Sequence, residues 1–262
     1  MKLGIIGLGH MAYSITTGIT SNNFIKPEDI IVIKHSEKTD SLALKENYTL
    51  TANLEDVCDT DILLVAVKPN QFEEVLDSIK DLKINCLLSV VTGYSSKFIK
   101  EKIGDIPVVR AMPNTPIMIN EGATLLSRSE GVSEEMFNKC AKIFKSSGIV
   151  EEVSEDKINL GMIMSGSTPA YIYYMAKCLV EDVMNYGIEY NTARNLVTKM
   201  IIGAGKMMEN YPNKDLDTFV DEVATKGGTT EQAINTFKEE NLKDLIHKAS
   251  SKCLKRGNEL GK

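Results

Sequence analysis

Short apolar runs alternate with amphipathic stretches through the first part of the chain. The runs are 3–6, 30–33, 62–67, 87–91 and 108–112, rich in Val, Ile and Leu. Uninterrupted runs of this length suit strands buried on both faces. The stretches between them, 10–21, 37–46, 71–79 and 95–103, read as helices. Such alternation predicts a parallel sheet with helices on both sides. A later pair of runs, 122–126 and 148–153, flanks a helix at 134–146 and extends the same sheet.

Beyond residue 155 the strand signal stops. Leu196, Val197, Met200, Ile201, Ala204, Met207 and Met208 recur at the spacing of one helical face. Leu242, Leu245, Ile246, Ala249, Cys253 and Leu254 do the same. Residues 171–184 are apolar nearly all round, which predicts a helix buried on most sides. The expected fold is α/β: a doubly wound N-terminal sheet over 1–155, then an all-α domain over 156–262. At roughly 150 residues per domain, 262 residues accommodate two modest domains.

Composition narrows the function. The 30 basic and 36 acidic side chains leave a net charge of −6 with no basic run, so a nucleic-acid partner is not expected. The uncharged stretch 158–176 is broken by Ser165-Gly166-Ser167-Thr168-Pro169, so a membrane span is not expected either. The first residues turn to glycine too soon for a secretory signal. Five scattered cysteines and three histidines, with no Cys-x-x-Cys, predict neither a zinc site nor a disulfide framework. Reduced thiols fit a cytoplasmic protein.

Ile6-Gly7-Leu8-Gly9-His10-Met11-Ala12 joins the first run to the first helix, the setting in which Gly-x-Gly-x-x-Ala means dinucleotide binding. Gly7 permits the tight turn and Gly9 lets a pyrophosphate approach the backbone. Ile6, Leu8, His10 and Met11 share that contact zone. No acid ends the second run. Lys34, His35 and Ser36 stand there, and a 2′-phosphate suits Lys34 and Ser36, so NADP(H) is favoured with NAD(H) still open. Ala66-Val67-Lys68-Pro69 follows another run and belongs to the cofactor edge, where Lys68 is also a candidate proton donor. Asn53 reads first as a helix N-cap and second as a cofactor neighbour.

In the helical region, Lys226-Gly227-Gly228-Thr229-Thr230-Glu231-Gln232 precedes an amphipathic helix. Thr229 and Gln232 have capping-box spacing, which makes Thr229 the expected N-cap. Glycines before free helix N–H groups also suit a carboxylate or phosphate. The residues alone leave both readings open.

Taken together these segments resemble the pyrroline-5-carboxylate reductase family. The resemblance runs over nearly the whole chain, through 7–12, 66–69, Arg110-Ala111-Met112-Pro113-Asn114-Thr115-Pro116, 165–171 and 221–230. It implies a Rossmann-type domain, a helical dimerisation domain, and NADPH-dependent reduction of 1-pyrroline-5-carboxylate to L-proline. It also implies a substrate carboxylate on the amides near Gly228, Thr229 and Thr230, with Thr225 beside them and Thr230 close to the ring nitrogen as the catalytic hydroxyl. The chain departs from the family pattern at Thr168, where a small residue is usual, and at Thr225-Lys226, where Ser-Pro is usual. Three other readings stay open: reduction of a related cyclic imine, a different NADP-dependent dehydrogenase, or a non-catalytic NADP(H)-binding paralogue.

Overall fold

The computed structural model describes residues 1–261. In chain order the first elements are β1 (Leu3–Ile6), α1 (His10–Ser21), β2 (Ile30–Ile33), α2 (Glu37–Lys45), β3 (Thr49–Thr51), β4 (Ile62–Val65) and α3 (Pro69–Ile79). There follow β5 (Leu87–Ser89), α4 (Ser96–Ile103), β6 (Val108–Met112), β7 (Gly122–Arg128), α5 (Glu134–Lys145) and β8 (Gly148–Glu152). The helical remainder is α6 (Thr168–Met184), α7 (Tyr190–Asn210), α8 (Leu216–Val223), α9 (Thr229–Glu239) and α10 (Leu242–Glu259).

The eight strands form one sheet in the order β3-β2-β1-β4-β5-β6-β7-β8. All neighbours are parallel except β6 and β7, which pair antiparallel with Ala111 opposite Leu126. The chain leaves β1 on one side for β2 and returns to its other side for β4. That reversal opens a crevice beyond the carboxyl ends of the strands.

Alternation along the strands builds two cores. Leu3, Ile5, Leu64 and Leu88 point to the face covered by Ile15 and Ile19 of α1 and Phe144 of α5. Ile6, Leu63, Val65 and Leu87 point to the other face, with Phe72 and Leu76 of α3 and Ile99 of α4. β1, β2 and β4 are thus apolar along their whole length because both their faces are covered.

Three sequence expectations need correction. β3 had no apolar run to announce it; it is a three-residue edge strand, Thr-Leu-Thr, held by pairing with β2. The apolar runs at 62–67 and 87–91 stop being strand at Val65 and Ser89, because the following residues turn into the crevice. Finally, the helix around 171–184 is not buried within the chain. Val180 alone in α6 is buried, and Tyr173, Tyr174, Met175 and Leu179 are exposed. The apolar periodicity is real, but this chain supplies nothing to cover that face.

The described residues gather into two compact units. One comprises 1–169 with 253–261, and the other comprises 170–252. The change in sequence pattern at 155/156 thus precedes the division by an intervening run of short turns, a 3-10 turn at Ile158–Leu160 and a π turn at Met162–Gly166.

Candidate active site

Within the first unit the crevice centres on the β1–α1 turn. Gly7 has φ +92, and a Cβ there would lie 2.7 Å from the Val67 Cγ1 and 2.9 Å from the Ala66 carbonyl oxygen. No other residue fits that turn without strain. Gly9 differs: it is the N-cap of α1, and a Cβ there would meet nothing within 4 Å. The α1 terminus has no side-chain cap and no acid in its first turn, and the first helical bond to Gly9 comes from the Tyr13 N–H. The N–H groups of His10, Met11 and Ala12 therefore face the crevice end of the helix unclaimed, which suits an anion. The open space at Gly9 is what a pyrophosphate needs, so the residues present fit a dinucleotide.

A cavity opens on each side of this turn. The smaller, about 190 Å³, is lined by Ile6, Gly7, Lys34, His35, Leu54, Val67, Gln71 and Glu74 among others. It lies at the tips of β1, β2 and β4. The larger, about 450 Å³, is lined by Met11, Val90, Thr92, Met112, Pro113, Met162, Gly166 and Ser167. The end of α10 completes it with Cys253, Arg256, Gly257 and Leu260.

The sequence-derived candidates are distributed unevenly over these walls. Ile6, Gly7, Lys34 and Val67 line the smaller cavity and Met11 the larger. Leu8 is buried, and His10 is exposed. Ser36 caps α2: its hydroxyl accepts from the Thr39 N–H, while the Thr39 hydroxyl donates back to the Ser36 carbonyl. The adjacent His35 N–H donates to Asp40 Oδ1 at 3.1 Å. Asn53 caps the 3-10 turn Leu54–Asp59 and donates to Asp56, and its neighbour Leu54, not Asn53 itself, forms cavity wall. Ala66 continues the β1 pairing through its N–H to the Ile6 carbonyl, 2.9 Å. Lys68 is the exposed N-cap of α3 with Pro69 as first helical residue, and the Pro69 carbonyl accepts from the Tyr94 hydroxyl at 3.0 Å. Burial pushes the Tyr94 phenol above its ordinary range, and Glu73 adds to the effect.

Sequence reasoning missed most of the larger cavity. The α10 end carries no recognisable motif. The available signals were the 165–171 segment, which starts inside the π turn and supplies Gly166 and Ser167, and the Met-Pro-Asn segment closing β6, where Asn114 Oδ1 accepts the Ala123 N–H at 2.9 Å and fixes the turn into β7.

In the second unit, the capping expectation for Thr229 is overturned. Gly228 is the N-cap of α9, with extended φ −82 and ψ 167, and Thr229 is already helical, so its side chain caps nothing. Gln232 has no capping role; Glu231 reaches back instead, its Oε2 accepting the Gly227 N–H at 2.7 Å. The Gly228 N–H bonds to the Thr225 carbonyl at 2.8 Å, closing a tight turn in which a Cβ on Gly228 would strike Thr225. The start of α9 therefore has no side-chain cap, with the half-buried Thr230 on its first turn.

Two family models cover most of the chain. Residues 155–260 match pyrroline-5-carboxylate reductase dimerisation, and residues 2–93 match NADP oxidoreductase coenzyme F420-dependent. A solved pyrroline-5-carboxylate reductase structure from Coxiella burnetii is 32% identical, with TM-score 0.88, covering 100% of this chain and 98% of that one. The chain belongs to the pyrroline-5-carboxylate reductase family. A pyrroline carboxylate reductase structure from Plasmodium falciparum with NADP bound is 26% identical, with TM-score 0.91 over 100% of this chain and 98% of that one. The pyrroline-5-carboxylate reductase of Corynebacterium melassecola is 29% identical over 269 residues, 99% of this chain and 98% of its own length. The family's dimerisation match takes in α6 and α7, whose apolar side chains Tyr174 and Leu196 are each 66% exposed in the single chain. Among the described residues, no helix is long and apolar enough to cross a membrane, and no cluster of three or more His, Cys, Asp or Glu side chains could hold a metal.

Proposed function

We propose that this chain reduces 1-pyrroline-5-carboxylate to L-proline with NADPH as hydride donor, the last step of proline synthesis. One observation carries the assignment beyond family membership: each unit presents an uncapped, glycine-preceded helix start, α1 behind Gly9 and α9 behind Gly228. Each is an anion seat. One suits a cofactor pyrophosphate and the other a small substrate's carboxylate.

The cofactor assignment follows the switch point. The smaller cavity, at the tips of β1 and β2, takes the adenosine end, and the larger, beyond β5 and β6, takes the nicotinamide end. The His10 and Met11 amides hold the pyrophosphate between them. Lys34 offers the cation for a 2′-phosphate, while the Ser36 hydroxyl is committed to its cap. With no acid at the end of β2, NADPH is preferred and NADH is accepted.

When bound, NADPH supplies a hydride to the imine carbon. The chain's own residues position and polarise. The free Thr229 and Thr230 amides hold the carboxylate, the Gly228 N–H stays on the Thr225 carbonyl and so keeps the turn in shape, and the Thr230 hydroxyl hydrogen-bonds the ring nitrogen. A threonine hydroxyl is a poor acid, so the proton that the ring nitrogen gains reaches it through Thr230 from water. A protonated imine is already electrophilic, so no covalent help from the protein is required.

The active protein is a homodimer or larger homo-oligomer in the cytoplasm, with α6 and α7 as its interface. It needs no nucleic-acid, membrane or metal partner. The test is a spectrophotometric assay of NADPH oxidation with 1-pyrroline-5-carboxylate, repeated with NADH and with a six-membered cyclic imine. NADPH consumption with the five-membered substrate supports the assignment. Turnover of hydroxy acids without imine reduction, or NADPH binding without oxidation, overturns it.

A further inference from the structure

Arg110 is the part of the Arg-Ala-Met-Pro-Asn-Thr-Pro run that the proposed chemistry leaves unused. It lies on β6 two residues before Met112, on the same face, and Met112 lines the larger cavity. Arg110 is 4% exposed. A cation so far from water is costly unless its donors are paired. Nη1 donates to Glu155 Oε1 at 2.8 Å, and Nη2 donates to Asn159 Oδ1 at 3.0 Å. Glu155 is held in turn: Oε1 also accepts the Ser96 N–H at 2.9 Å, and Oε2 accepts the Ser127 hydroxyl at 3.2 Å. Asn159 passes the contact on, its Nδ2 donating to Asn258 Oδ1 at 2.9 Å.

One guanidinium thereby fixes the segment 155–159, which runs directly into the π turn Met162–Gly166, and reaches the last turn of α10 through Asn258. Both are walls of the larger cavity. They pack directly against each other: a Cβ on Gly257 would lie 2.2 Å from the Met162 Sδ. Since segment 155–159 is continuous with the Met162 turn and bonded to the α10 end through Asn258, a shift of that segment is passed on to the cavity wall.

We infer that Arg110 is a positioning residue of the reductase. It sets where the Met162 turn and the end of α10 stand against the nicotinamide, and so the distance over which the hydride passes, while touching neither cofactor nor substrate. The inference rests on the reading of the larger cavity as the nicotinamide half of the site.

The test uses two variants of the full chain. Arg110→Lys keeps a cation for Glu155 but lacks the second arm to Asn159. Asn159→Asp keeps the acceptor for Arg110 but loses the donor to Asn258. Arg110→Lys is expected to lower kcat about 10–100-fold, as misplacement of a reacting pair does, and Asn159→Asp to lower it less. In both, the primary deuterium isotope effect on kcat rises when NADPH is labelled at the transferred position. Affinity for adenosine 2′,5′-bisphosphate, which reports the other cavity, stays within about twofold. The nicotinamide fluorescence of bound NADPH changes in both variants. Unchanged kcat and isotope effect overturn the inference, as does a kcat loss matched by equal loss of bisphosphate binding. A wild-type chain that binds NADPH but reduces no imine overturns the functional reading instead. The fluorescence arm then still decides this one, since unaltered emission in both variants rejects it.

Discussion

Gly7 has no room for a side chain because Val67 stands against it, its Cγ1 2.7 Å from where a Cβ would be, whereas Gly9 two residues on faces open space. The two glycines of one motif thus do different work. Gly7→Ala should destabilise the fold by about 1–3 kcal/mol through the clash and a strained positive φ. Gly9→Val should melt at nearly the wild-type temperature yet lose NADPH binding. Calorimetric melting and titration of the same two variants separate these outcomes; normal NADPH affinity in Gly9→Val would mean that the turn does not seat a pyrophosphate.

Thr230→Ala should lower turnover about ten- to a thousandfold, the range for one lost acid–base or orienting contact. NADPH affinity should be unchanged, because the first unit alone forms the two cavities flanking Gly9. Steady-state kinetics with a parallel NADPH titration checks both halves. Wild-type turnover would remove Thr230 from the mechanism.

The apolar faces of α6 and α7 predict the assembly. Leu196→Glu combined with Ile202→Glu places charge on side chains exposed in the single chain, 66% and 47%. If a second copy covers them, the variant sediments as a monomer where the wild type does not, because unpaired buried charge is strongly disfavoured at an interface. An unaltered mass would move the interface elsewhere.

Glu134 gives a pH signature away from the site. A hydrogen bond from Arg128, reinforced by its charge, holds the Glu134 carboxyl below the ordinary carboxylate value. A lowered folded-state pKa contributes stability that is present above the unfolded value of 4.5 and is lost as pH falls through the folded one. The group is exposed, so the effect on stability is small. Carbon-13 NMR titration should find Glu134 below its usual range in the wild type and returned to it in Arg128→Gln.

Much of the fold was legible because the sheet is covered on both faces: β1, β2 and β4 are unbroken apolar runs, and α1 spans the residues that its pattern marks. β3 was not, because an edge strand of Thr-Leu-Thr owes its form to pairing with β2 rather than to composition. The Gly7–Gly9 turn was legible since its chemistry requires small residues at fixed spacing. Gly228 was not recognised as the cap of α9, because capping-box spacing at Thr229 and Gln232 competes with a glycine already in extended conformation. The wall formed by Met162, Gly257 and Leu260 was invisible: apolar contacts between segments far apart in the chain leave no local pattern. The 171–184 helix misled for the opposite reason. Its apolar residues read as buried, yet Tyr173, Tyr174, Met175 and Leu179 are exposed in the single chain.

The order of the strands also governs how the protein must be made. β1 pairs only with β2 and β4, both later in the chain, so the strand that carries the Gly7 turn keeps one edge unpaired until Ile62–Val65 arrives. A fragment ending before β4 would leave that apolar ribbon with a bare edge, the kind of surface on which chains stick to one another. Ribosomal stalling or nicking upstream of Ile62 should therefore yield aggregates rather than a small soluble nucleotide binder.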